Sequence, residues 1–117
     1  MRPWTWRRWL SYQAPRAVRL TERELDRVLI WSIGEMARRR RDRGLPLNHP
    51  EAVGLICDEV MELARGGATL EECAARGVAV LRVGDVMDGV AAMVERIEVE
   101  IDCADGTKLL SLHRPIR

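Results

Sequence analysis

Residues 97–103 alternate without a break. Ile97, Val99, Ile101 and Cys103 take one side, and Glu98, Glu100 and Asp102 take the other. A period of two describes an extended strand with one apolar and one polar face. Asp105-Gly106 follows, a two-residue turn of the type favoured in hairpins, and Leu110 and Leu112 resume the alternation. Pairing around that turn sets Ile101 opposite Leu110 and Val99 opposite Leu112, so all four share a face. Pro115 ends the second strand. A lone hairpin is marginally stable in water, so this face must pack on helices or on another chain.

The helices that can cover it lie upstream. Thr21-x-x-Glu24 is a capping box, and Leu25, Val28, Leu29, Ile33 and Met36 follow on one helical face. Arg38, Arg39, Arg40, Arg41 and Arg43 crowd the last turns, where positive charge suits the helix dipole, and Gly44 ends the helix. Asn48 caps a second helix, with Pro50 in its first turn and Glu51 three residues on. Val53, Ile56, Cys57, Val60 and Ala64 form its apolar face, Asp58, Glu59 and Glu62 take the other side, and Gly66-Gly67 stops it. Thr69-x-x-Glu72 opens a third, shorter helix that ends near Gly77. Residues 78–83, VAVLRV, suit a strand or a loop that buries Val80 and Leu81. Asp85 is placed to cap a fourth short helix through Met87, Val90 and Met93, which Gly89 weakens. The predicted fold class is α+β: a helical bundle of three to four helices followed by a C-terminal antiparallel β-hairpin.

Residues 1–18, MRPWTWRRWLSYQAPRAV, differ from the domain at 19–117. Trp4, Trp6 and Trp9 stand among Arg7 and Arg8, and Pro15 closes the segment. Such an N-terminal extension reads as a disordered tail, as a basic Trp-rich peptide that touches a membrane surface or a partner, or as an over-extended gene model with Val18 as the initiator. N-terminal sequencing of the native protein separates these, because a start at Met1 removes the third. The extension is basic, which leaves the remainder net acidic at an overall charge of +1. Cys57, Cys73 and Cys103 are odd in number, widely spaced and without a CxxC. With no apolar run long enough for a signal or a membrane span, the chain reads as a reduced cytoplasmic protein with buried, inert thiols.

A search for chemistry finds little. His49 lies in a helix-entry loop and His113 near a strand end, and neither belongs to a cluster with metal-ligand spacing. Glu98, Glu100 and Asp102 are accounted for as the polar face of a strand. Ser11, Ser32 and Ser111 lack the context of a nucleophile elbow. The sequence offers no catalytic and no metal-binding residue. Met36, Met61, Met87 and Met93 read as core or interface filling. The arginine run also invites a helix-turn-helix contact with DNA phosphates. Against this stand the acidic balance of the domain and the fitness of arginine for carboxylates on a partner subunit.

From Arg19 to Ile116 the order of motifs resembles the gamma subunit of bacterial urease. LTERELDRVLI comes first, then EMARRRRDRGLPLNHPEAVGLICDEVMELARGG, then DVMDGV, then IEVEIDCADGTKLLSLHRPI. In sequence these are highly specific. Glu22 stands where the family often has proline, Gly84 where it has an acid, and Ala91-Ala92 where it has Pro-Glu. The resemblance implies a non-catalytic structural subunit of a complex that hydrolyses urea to ammonia and carbamate. It implies nickel in the partner alpha subunit and no cofactor in this chain. It implies alpha and beta subunits as partners in a threefold hetero-oligomer, with neither nucleic acid nor membrane. The expected subunit interface comprises the arginine cluster (Arg38, Arg39, Arg40, Arg41, Arg43), the 45–50 connection with Leu47, Asn48, His49 and Pro50, and the hairpin residues Asp105, Gly106, His113 and Pro115. The other readings are a scaffold for a different metal-dependent amidohydrolase and a small nucleic-acid-binding protein.

Overall fold

Thr21, Asn48 and Thr69 each stop the chain in extended geometry and turn it into a helix, accepting the amide of the residue three further on. The computed structural model describes residues 19–117, so the expectations for residues 1–18 lie outside the described residues. Helix α1 spans Glu22–Asp42, α2 His49–Arg65 and α3 Leu70–Gly77. A single 3-10 turn, Val83–Asp85, and a short α4, Val90–Met93, lead to strands β1, Arg96–Cys103, and β2, Gly106–His113. Four helices followed by a two-stranded antiparallel hairpin make the predicted α+β layout.

Helix α2 is the centre of the domain. It packs on α1, α3 and β1, and β2 packs on α3. Leu55, Ile56 and Val60 of α2 meet Leu47, Cys73, Leu81, Ile97, Val99, Ile101, Leu110 and Leu112 in one aliphatic core. The hairpin face is thus covered by helices of its own chain, which meets the stability requirement set by its sequence.

The hairpin pairs in a different register from the expected one. Val99 faces Leu110, Ile97 faces Leu112 and Ile101 faces Lys108. The turn residues are Ala104 and Asp105, and Gly106 opens β2 at φ 127°, paired with Cys103. The left-handed position therefore follows the turn instead of lying inside it. The displacement is two residues, so side-chain parity survives, and Ile97, Val99, Ile101, Leu110 and Leu112 all remain on the buried face.

Two further expectations are corrected, and the direction of the α1 stripe, which the sequence leaves open, is fixed. Four members of the apolar stripe of α1 point outward, Leu25, Val28, Leu29 and Met36, each about half exposed, while Ile33, Gly34 and Ala37 face α2. Asp58 does not lie on an outer side of α2 but is buried between the helices, at 1% exposure. Asp85 does not cap α4. Its carboxylate accepts the Arg82 amide at 2.8 Å and closes the 3-10 turn, while α4 starts at Gly89, φ 85°, without a side-chain cap. Met87 consequently lies outside α4 and is exposed, as is Met93. Residues 78–83 form no strand; they bury Val80 and Leu81 as a loop.

Candidate functional site

Helices α1 and α2 are joined by charge. Arg27, Gly34 and Arg38 recur at i, i+7 and i+11, on one face of α1. Glycine leaves room there for Asp58 between the two guanidinium groups. Arg27 donates to Asp58 Oδ1 at 2.9 Å and also reaches Glu62. Arg38 donates to Asp58 Oδ2, and to Glu59 and Glu35 at 3.1 Å each. Burial works against the charged form of Arg38, but its hydrogen bonds to Asp58 and Glu59 and their charges outweigh that, and its pKa is raised. Among the described residues no buried side-chain polar atom lacks a partner. These carboxylates are committed to arginines and hold the fold.

A second node fixes the start of α2. The Glu51 amide donates to Asn48 Oδ1 at 3.0 Å and the Asn48 amide to Glu51 Oε1 at 2.9 Å, a complete capping box. Arg40 of α1 donates to the other Glu51 oxygen. Burial would raise the Glu51 pKa, but the Asn48 amide and Arg40 hold it below its ordinary value. A depressed carboxylate stabilises the fold above its unfolded-state pKa, and that stabilisation is lost as pH falls through the folded value. Glu51→Gln is therefore expected to cost about 1 kcal/mol at pH 7, a figure kept small because Arg40 is half exposed. Urea unfolding of parent and variant should show the gap closing below about pH 4.5.

The sequence-predicted interface residues divide between places. Arg38 and Arg40 are engaged inside the domain, whereas Arg39 and Arg43 are exposed at the end of α1. Arg41 is half-buried. Asn48 is half-buried, and His49 and Pro50 are exposed at the start of α2. Leu47 and Pro115 are buried, so they can shape an interface but do not present a surface. Asp105 and Gly106 are exposed at the hairpin tip, where Asp105 pairs with Lys108 at 3.0 Å. The tip is tied to the other end of α1, through Arg23 to Asp102 at 2.8 Å. Arg23 and Arg40 stand about 25 Å apart along the helix. His113 is exposed at the opposite end of the hairpin from the turn.

What the structure does bring together is three of the separated motifs. The Leu47 amide donates to the Asp85 carbonyl at 3.0 Å, and the Met87 amide to the Leu47 carbonyl at 2.8 Å, a parallel bridge between LNHP and DVMDGV. The terminal RPIR joins them: the Val83 amide donates to the Arg117 carbonyl at 3.3 Å, with Pro115 and Ile116 buried. Residues scattered through the sequence thus form one continuous junction. The family model for urease, gamma subunit, matches residues 18–116 and so spans both helices and all of this junction except Arg117. The chain belongs to the urease gamma subunit family.

As a member of that family it is a subunit of a hydrolase complex and associates with other urease subunits. Among the described residues no three His, Cys, Asp or Glu side chains are grouped to hold a metal ion. Burial pushes the Cys57 thiol up to about 11 and raises that of Cys73, whose Sγ donates to the Val60 carbonyl at 3.7 Å. Cys103 is only partly buried. In the native protein at pH 8 a thiol reagent is expected to label Cys103 first, at least ~10-fold faster than Cys57 or Cys73. Peptide mapping after timed alkylation checks the order. Among the described residues no helix is long and apolar enough to cross a membrane.

Sequence reasoning missed two parts of the site. Leu25, Val28, Leu29 and Met36 were legible as one face of α1, but not the outward direction of that face. The wide cleft of about 830 Å³ between the first half of α1, α2 and β1 draws its lining from three motifs that lie far apart in the sequence. Its lining alternates Arg23, Arg27 and Arg65 with Glu24, Glu62 and Glu100 over an apolar floor that includes Ile30 and Val99. Only the pairing of distant elements creates it.

Proposed function

We propose that this chain is a non-catalytic structural subunit of a urease, holding together a complex in which an alpha subunit carries the nickel and hydrolyses urea to ammonia and carbamate. The observation that carries the reading is the family match over residues 18–116. The chemistry of the residues supports it. The buried carboxylates Asp58 and Glu51 are bound to arginines, the two most buried thiols are held protonated by burial, and His49 and His113 lie on separate elements. In this reading the donor set for two metal ions belongs to the alpha subunit, and a beta subunit completes a threefold cytoplasmic assembly. The Arg39 and Arg43 end of α1, the His49-Pro50 corner and the hairpin tip are the surfaces offered to those partners.

The test is co-expression of this chain, tagged at its C-terminus, with the alpha and beta subunits of the same organism, followed by sizing of the eluate. All three recovered in stoichiometric amounts in one large species is the expected result. A tagged chain that elutes alone, while alpha and beta associate without it, sinks the reading. An amidohydrolase other than urease would then be the complex to seek.

A further inference from the structure

Helix α1 uses two faces. One, with Gly34 and Ala37, is packed on α2. The opposite one carries Leu25, Val28, Leu29 and Met36 within an arc of about 100°, the width of a core-facing stripe. They are exposed by 49%, 45%, 52% and 45%, on a helix whose own core contact is already made. Ser32 lies inside the arc and gives its hydroxyl to the Val28 carbonyl at 2.9 Å, so it offers little polarity outward. A contiguous apolar helix face left in water is costly, and on a subunit it marks a contact surface.

The charges at its end describe the occupant. Arg39 and Arg43 continue the stripe. Arg39 has only a long contact of 3.5 Å with Glu35, and Arg43 has no carboxylate within ion-pair distance among the described residues. The surface that fits is an apolar strip about 17 Å long with carboxylates at one end. A second copy of this chain fits poorly. Paired antiparallel about Ser32 it would set Leu25 against Arg39, and paired parallel it would set Arg39 against Arg39. We infer that the outward face of α1, centred on Leu25, Leu29 and Met36, is a principal docking surface for an unlike urease subunit that presents an apolar strip with acidic residues facing Arg39 and Arg43. This rests on the subunit reading above and adds a surface that includes none of the junction residues.

The experiment is the same three-subunit co-expression with Leu25→Glu/Leu29→Glu in the full-length chain. Both side chains point to water, so the variant should keep its helical circular dichroism. Recovery of partner subunits on the tag is expected to fall at least tenfold, and Arg39→Glu/Arg43→Glu, a second variant at a site with no core contact, should weaken it as well. Wild-type recovery with both variants overturns the inference and leaves the subunit reading standing. Failure of the unaltered chain to recover partners overturns both. If the isolated wild-type chain is a dimer that Leu25→Glu/Leu29→Glu turns into a monomer, the face belongs to a second copy and the inference is wrong.

Discussion

A chain carrying Arg27→Met and Arg38→Met is expected to lose about 3–5 kcal/mol of stability. That is a large part of what a domain of this size has. The asymmetry of exposure sets the size of the effect. Asp58 is almost fully enclosed, whereas Glu59 and Glu62 lie closer to solvent. When the guanidinium groups go, the outer carboxylates rehydrate and Asp58 cannot, so an unpaired charge is left between two helices. The loss is not the worth of the ion pairs, because much of it is the cost of the orphan. A third substitution separates the two. Adding Asp58→Leu removes the orphaned charge and is expected to recover at least half of the loss, provided the leucine fits above Gly34. Urea unfolding followed by circular dichroism measures all three proteins. A double variant within ~1 kcal/mol of the parent would show that the seam contributes no more than surface pairs.

The same seam explains why α1 was legible as a helix but not in its orientation. Periodicity identifies a face and says nothing of which way it turns. Leu25, Val28, Leu29 and Met36 form the stronger apolar stripe, so hydrophobicity alone selects them for the core. The face that is packed has small residues, Gly34 and Ala37, between arginines. Its burial becomes reasonable only when Asp58 and Glu59 are known to lie across from it, and those contacts span 20 to 31 residues of sequence. For the same reason Asp58, Glu59 and Glu62 were legible only as the side of α2 away from its apolar face.

Local chemistry was legible wherever it acts within three or four residues. The caps at Thr21, Asn48 and Thr69, the stop at Gly44 and the parity of the hairpin faces follow from side chains that touch their own backbone neighbourhood. The register slipped because it depends on where the left-handed residue sits relative to the turn, a distinction the dipeptide Asp105-Gly106 does not make. The junction of LNHP, DVMDGV and RPIR was visible as three motifs and not as one place. Its hydrogen bonds join backbone groups about 35 to 40 residues apart, which side-chain patterns do not encode.

The crossing of α1 over α2 carries the last prediction. Gly54 of α2 sits against Ile33 of α1, and a Cβ there would overlap the Ile33 side chain, with the two Cβ atoms at 3.0 Å. Gly34 returns the arrangement, since its Cβ would lie 2.8 Å from that of Asp58. Glycine to alanine in a helix interior normally stabilises by about 1 kcal/mol. Here the sign should reverse: Gly54→Ala is expected to cost about 1–3 kcal/mol, because the helices must separate or Ile33 must leave its rotamer. Ile33 is only half-buried, so the strain can be relieved by shortening it. In Ile33→Ala/Gly54→Ala the penalty of the second change should disappear, giving a favourable coupling of at least ~1 kcal/mol in a double-mutant cycle. Additive losses would mean the crossing yields without Ile33. Separation of the helices has a reach beyond stability. The Asn48 cap and the Leu47 bridge to Val86 both hang on the start of α2, and the Arg40–Glu51 contact ties that start to the end of α1. A wedge at Gly54 therefore pulls on the junction and on the exposed α1 face together, and assembly with partner subunits should weaken in Gly54→Ala more than in Asn48→Ala, which loosens the cap alone.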